Sequence, residues 1–123
     1  MPNCLVITQE GEPLTRGEID RGELASDEIE VDFHFCGVCH SDIHQGKNDW
    51  GRAFFPLVPG HEVTGIVKSI GTGVTKFAVG DRVGVGVFKD SCGECEMCES
   101  GRENYCLKGR TQTYNAPLPN GER

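Results

Sequence analysis

The chain has no apolar run approaching the ~20 residues that a membrane-spanning helix requires, so such a helix is excluded. It also has no excess of positive charge. Twelve Lys and Arg stand against 19 Asp and Glu, a net charge of -7 with a pI near 5.0, which argues against a nucleic acid or other polyanion as partner. The N-terminus, Met1-Pro2-Asn3-Cys4, has no apolar core of the kind a secretory signal carries. Long amphipathic helical patterns are missing, and with them the βαβ units of a dinucleotide-binding fold. Gly71-Thr72-Gly73 only begins the phosphate-binding fingerprint: Lys76 stands in the third glycine's place, and no helix is expected behind it.

What the chain does have is cysteine and glycine. Seven cysteines without an export signal fit a reducing cytosol, hence a cytoplasmic protein with its thiols kept as metal ligands or spares. The 17 glycines favour tight turns and short strands, hence a mostly β fold. At 123 residues the chain is read as one domain, 1–123, able to bury a core.

A first strand is expected over 2–9, followed by a charged, irregular stretch over 14–27. Glu28 to Phe35 alternates, with Ile29, Val31, Phe33 and Phe35 on an apolar face and His34 on the solvated one. A short helix is expected over 42–47, a turn at Asn48-Asp49-Trp50-Gly51, a strand over 63–70, and a further turn and strand over 79–88. Gly71-Thr72-Gly73 is read as a hairpin-type turn. Trp50, Phe54 and Phe55 form an aromatic patch suited to wall a pocket or to fill a core, and core is the default role. Cys4 is read as a small buried side chain or a surface spare.

The densest chemistry lies in Cys92-Gly-Glu-Cys95-Glu-Met-Cys98 and, after seven intervening residues, Cys106. Four thiolates can close zinc's tetrahedral shell, and a closed shell is structural rather than catalytic. The nearest rival is an iron–sulfur run. That pattern has three residues before its last cysteine and a proline after it, whereas here the gap is seven and Leu107 follows.

A second cluster reads Cys36-Gly37-Val38-Cys39-His40-Ser41-Asp42-Ile43-His44, with His61 and Glu62 downstream. Three readings stay open: a redox pair, half of another zinc site, or a buried structural loop. Metal chemistry is preferred, because a redox pair requires a βαβ surround. Catalytic zinc keeps three protein ligands and one open position. Cys39 and His61 supply two, and Glu62 is the neighbour with suitable chemistry for a third.

Taken in order, Cys39 to His44, Gly60-His61-Glu62, Val79-Gly80-Asp81-Arg82-Val83 and the four-cysteine lobe resemble the N-terminal catalytic domain of zinc-dependent medium-chain alcohol dehydrogenases. Asn48 to Gly51, Phe55 to Pro59 and Thr113-Tyr114-Asn115 resemble the cinnamyl alcohol dehydrogenase subgroup. The resemblance implies an irregular GroES-like β-barrel with a projecting zinc lobe at about 89–110. It implies catalytic zinc on Cys39 and His61, with Glu62 close enough to bind it, and structural zinc on Cys92, Cys95, Cys98 and Cys106. Asp42 is expected to orient His61, and Ser41 and His44 to pass the alcohol proton outward. His40 is expected near the cofactor pyrophosphate and Trp50 in the substrate pocket.

The family's third catalytic cysteine and its NADP- or NAD-binding domain both lie beyond residue 123 in the family's order. The expectation is therefore part of an alcohol- and aldehyde-interconverting enzyme, inactive by itself. The alternative is a stand-alone zinc-binding β-barrel with a structural or binding role. The oligomeric state is left open.

Overall fold

The computed structural model describes residues 3–116. The expected mostly β architecture is present, spread over three small antiparallel sheets. Strand β1 (Asn3–Val6) pairs with β2 (Thr15–Glu18). The central sheet has the order β3-β4-β5, from Ile29–Gly37, Glu62–Ile70 and Arg82–Val85. Strands β6 (Phe88–Asp90) and β7 (Thr111–Gln112) pair at the neck of the cysteine lobe. Helix α1 spans His40–Gly46 and α2 spans Glu96–Glu99 within the lobe. No helix among the described residues is long and apolar enough to cross a membrane.

Strand β4 shows the alternation its sequence predicts. Val63, Gly65 and Val67 point inward, while Glu62, Thr64 and Lys68 face out. Val67 is only 1 % exposed. A second buried cluster forms where Ile7 and Leu57 exchange two backbone hydrogen bonds, each 2.8 Å. That cluster positions α1: a methyl on Gly46 would come within 2.7 Å of Ile7 Cδ1, so the helix approaches the core through a bare backbone.

Four expectations are corrected. The stretch 14–27 is not wholly irregular, because β2 lies in it. Its Thr-Arg-Gly-Glu sequence lacks an apolar face, and the strand is held by its ladder to β1. The strand expected over 79–88 is two strands in two sheets, β5 and β6, with Gly86 and Val87 between them. Gly71 and Gly73 do lie in a turn between antiparallel β4 and β5, closed by the Val74 N–H donating to the Gly71 carbonyl at 3.1 Å, but the connection runs on to residue 81 and is not a tight hairpin. Their N–H groups donate to Glu28 and Ser26, each at 2.8 Å, and a side chain at Gly71 would strike the Ala25 carbonyl oxygen at 2.2 Å.

The fourth correction concerns the apolar face of β3. Register shifts at Glu30/Val31 and Phe33/Phe35 interrupt its pairing with β4. Beyond the second shift, Phe35 stands opposite Thr64 on the outward side and is 76 % exposed. Phe33 stands opposite Gly65, which offers no side chain to cover it, and is also exposed. His34 is solvent-facing, as its place in the alternation predicts. Cys4 is half-buried. Residue 2 of the first expected strand and the stretch 117–123 lie outside the described residues.

Candidate metal centres

The β3–β4 ladder assembles the first centre. Gly37 pairs with Glu62 and Cys36 with Val63, so Cys39, just past β3, arrives beside the start of β4. Two glycines make room. A methyl on Gly37 would lie 2.6 Å from Glu62 Oε2, and Gly60, at φ +117, turns the chain into His61. Ligand atoms of Cys39, His61 and Glu62 all lie within 4.8 Å of one another. His61 is 5 % exposed and Glu62 faces outward.

Asp42 ties this centre together from the first turn of α1. One carboxylate oxygen accepts the Cys39 backbone N–H at 2.9 Å. The other lies 3.5 Å from His61 Nδ1, and neither of these two buried atoms has a hydrogen-bond partner. A carboxylate facing Nδ1 leaves Nε2 as the nitrogen available to an ion, the arrangement that metal-binding histidines share. Soft sulfur, imidazole and carboxylate are zinc's ordinary donors, so the residues present fit the ion.

Helix α1 carries the remaining residues. Ser41 and His44 are three apart and share a face. His44 Nδ1 meets Asp49 Oδ2 at 2.7 Å, and its ring stacks on His40 at 4.7 Å. Trp50 lies 5.1 Å from the His44 ring and is 46 % exposed, so it walls the helix surface rather than filling core. His40 is exposed.

Three residues without a role in the sequence reading enter here. Asp49 looked like part of a turn, yet it is the partner of His44. Tyr114 stacks on His61 at 5.2 Å, nearly parallel at 10°. Desolvation pushes its phenol up to about 12; the Ser41 hydroxyl works against that rise and the Asp42 carboxylate adds to it. Asn115 reaches Phe54, Gln45 and Arg52. In the sequence, Tyr114 and Asn115 were visible only as subgroup markers, because their contacts lie some fifty to seventy residues away.

The second centre is the lobe. All four sulfurs, of Cys92, Cys95, Cys98 and Cys106, lie within 4.8 Å of one another. Cys98 Sγ is 3.6 Å from Cys95 Sγ and 3.8 Å from Cys92 Sγ. A tetrahedral zinc–thiolate shell with bonds of about 2.3 Å requires sulfurs about 3.8 Å apart, so the cage has the right size. Backbone N–H groups of Cys98 and Leu107 hold the Cys95 thiol down at about 6, and that of Cys92 lowers Cys106. At Cys92 the Glu94 N–H works downward, but desolvation and the Cys106 thiol outweigh it and push the group up to about 11. One readily ionised thiol beside one that resists ionisation is what crowded sulfurs do without a cation, and a divalent ion favours the thiolate at every position.

Comparison with known proteins identifies the family of the fold. Residues 25–119 match the alcohol dehydrogenase GroES-like domain. The chain is 51 % identical over 115 residues to NADP-dependent alcohol dehydrogenase C 1 of Mycolicibacterium smegmatis, covering 93 % of this chain and 33 % of that protein. Among solved structures it is similar to a cinnamyl alcohol dehydrogenase (SbCAD4) from Sorghum bicolor, with TM-score 0.89, 41 % identity, and coverage of 96 % of this chain and 33 % of that one. It is likewise similar to CAD from Helicobacter pylori complexed with NADP(H), with TM-score 0.90, 34 % identity, and coverage of 98 % of this chain and 35 % of that one. The chain thus spans about a third of the length of the relatives it matches. A sulfur, an imidazole and a carboxylate gathered at the β3–β4 junction, a four-cysteine lobe and a match over most of its length make this chain a member of the alcohol dehydrogenase GroES-like domain family.

Proposed function

We propose that the chain is the metal-holding catalytic domain of a zinc-dependent, NAD(P)-linked alcohol dehydrogenase that interconverts small alcohols and aldehydes. The observation that carries this is the convergence of Cys39, His61 and Glu62 at the start of the helix that carries Ser41 and His44. A lobe alone would explain one ion and nothing else. Bound zinc supplies Lewis-acid chemistry, polarising a carbonyl or lowering an alcohol's pKa, while the nicotinamide carries hydride.

The chain's own residues handle the proton. Asp49 accepts from His44 Nδ1–H, which leaves Nε2 bare to take a proton relayed through Ser41. Asp42 holds the His61 ring from behind. Trp50 borders the space in which an aldehyde's side chain would lie, and exposed His40 is placed to meet an anionic cofactor group. The four cysteines of the lobe hold a structural zinc. NADP is the preferred cofactor, in keeping with the names of the relatives. Thiol ligands require a reducing compartment, and we assign the protein to the cytoplasm.

Metal analysis of the isolated chain tests the reading. We expect about two zinc ions per chain, falling to about one in Cys39→Ser, with the lobe still loaded. A wild-type chain that takes up only the lobe's ion would favour a stand-alone zinc-binding barrel. An assay with zinc, NADPH and an aromatic aldehyde should show no turnover by the 123-residue chain. Turnover at a rate ordinary for an enzyme, ~10 per second, would overturn the division of labour proposed here.

A further inference from the structure

We propose that Tyr114 and Asn115 form a clamp that positions the Cys39–His61–Glu62 centre. The proposal rests on reading that centre as a metal site. Tyr114 and Asn115 stand just past β7, in a segment that returns from the lobe. Asn115 has φ 53, a left-handed conformation that asparagine tolerates better than most residues.

Its side-chain amide is fully used. Oδ1 accepts the Phe54 N–H at 2.7 Å, and Nδ2 donates to Gln45 Oε1 at 2.7 Å and to the Arg52 carbonyl at 3.2 Å. Gln45 is buried on α1. One amide therefore locks the helix bearing Ser41 and His44 to the loop after Trp50. Asn48 Oδ1 holds the same loop by accepting the Ala53 N–H at 2.9 Å. Such a network fixes one arrangement because each buried polar atom would be costly to leave unpaired.

Tyr114 acts on the ligand itself. Its ring lies nearly parallel to the His61 imidazole, 5.2 Å away between centroids. The Asp42–His61 separation of 3.5 Å is long for a hydrogen bond, so Asp42 alone restrains the imidazole weakly. The stacked phenol supplies the missing restraint on ring rotation. Tyr114 and Asn115 are thus positioning residues. They hold in place His61 and the helix that carries Ser41 and His44.

Cobalt titration of the isolated chain, followed by absorption, tests this. The tetrathiolate lobe gives an intense thiolate-to-cobalt charge-transfer band and serves as an internal control for folding. The first centre, with one sulfur, is followed by its ligand-field bands. We expect Tyr114→Ala and Asn115→Gly to weaken cobalt binding at the first centre about 10- to 100-fold and to shift its bands, as loss of a ligand-orienting partner does. The lobe's band should not change. Tyr114→Phe, which keeps the ring, should retain most of the affinity. Unchanged binding in Tyr114→Ala and Asn115→Gly would overturn the clamp. So would equal weakening at both centres, which would mark a general effect on folding. A wild-type chain that binds cobalt only in the lobe would overturn the underlying metal-site reading instead, and the two failures are told apart by the wild-type stoichiometry.

Discussion

Gly65→Ala tests whether the β3–β4 ladder builds the first centre. A methyl at Gly65 would meet the Asp32 carbonyl oxygen at 2.1 Å and its carbon at 2.9 Å. Close carbon–oxygen contacts settle near about 3.3 Å, so the strands would have to part by about 1 Å. Overpacking typically costs about 1–3 kcal/mol, and we take the upper end because the obstacle is backbone and cannot rotate away. Restricting the unfolded chain returns roughly 0.5 kcal/mol. The net cost is about 2.5 kcal/mol, a fall of about 10 °C in the thermal midpoint for a domain of this size. Gly84→Ala is the control in the neighbouring strand. There the nearest atom, the Val63 carbonyl oxygen, is 3.5 Å away, an ordinary contact, and the change should stay within about 0.5 kcal/mol. Thermal and urea unfolding by circular dichroism would measure both. Gly65→Ala should also weaken zinc at Cys39 and His61, because the Phe33–Gly65 and Gly37–Glu62 pairs belong to one ladder. Equal stability of the two variants would refute the reasoning.

Three further outcomes are expected. Zinc affinity of the lobe should rise by at least about one log unit per pH unit between pH 7 and 9, because Cys92, raised to about 11, must lose a proton on binding whereas Cys95, near 6, already has. A competition titration against a chromophoric chelator reads this slope, and a flat profile would contradict the raised Cys92. Chelator treatment should lower the unfolding midpoint and increase thiol reactivity, in proportion to the zinc removed. Hydrogen bonds from Lys68 and Ser69 hold Glu30 below its usual 4.5, so its contribution is present above that pH and fades as pH falls through the depressed value. Glu30→Gln should therefore be slightly less stable than wild type at neutral pH, with the difference closing in acid.

The two centres differ in how far they can be read from the chain. The lobe's four ligands fall within one short stretch, and its cage depends on turns that the same stretch encodes. Cys39, His61 and Glu62 were nameable as candidates by residue type, but their meeting depends on Gly37 pairing with Glu62 across two strands. Phe33 and Phe35 read as an apolar face because alternation assumes an unbroken ladder. The register shifts in β3 break that assumption, and no residue between Glu28 and Phe35 marks where they fall.

The sequence by itself determined the mostly β character, the closed thiolate lobe and the donor chemistry of both centres. Each of these follows from residue type and short spacing, which act locally. Only the tertiary structure decided that Asp49 serves His44, that Tyr114 covers His61 and that Asn115 ties α1 to the loop after Trp50. The latter two contacts join segments far apart in the chain. The Asp49 contact turns on the local path of the chain leaving α1. Sequence distance carries no information about either until strand register and helix placement have been set.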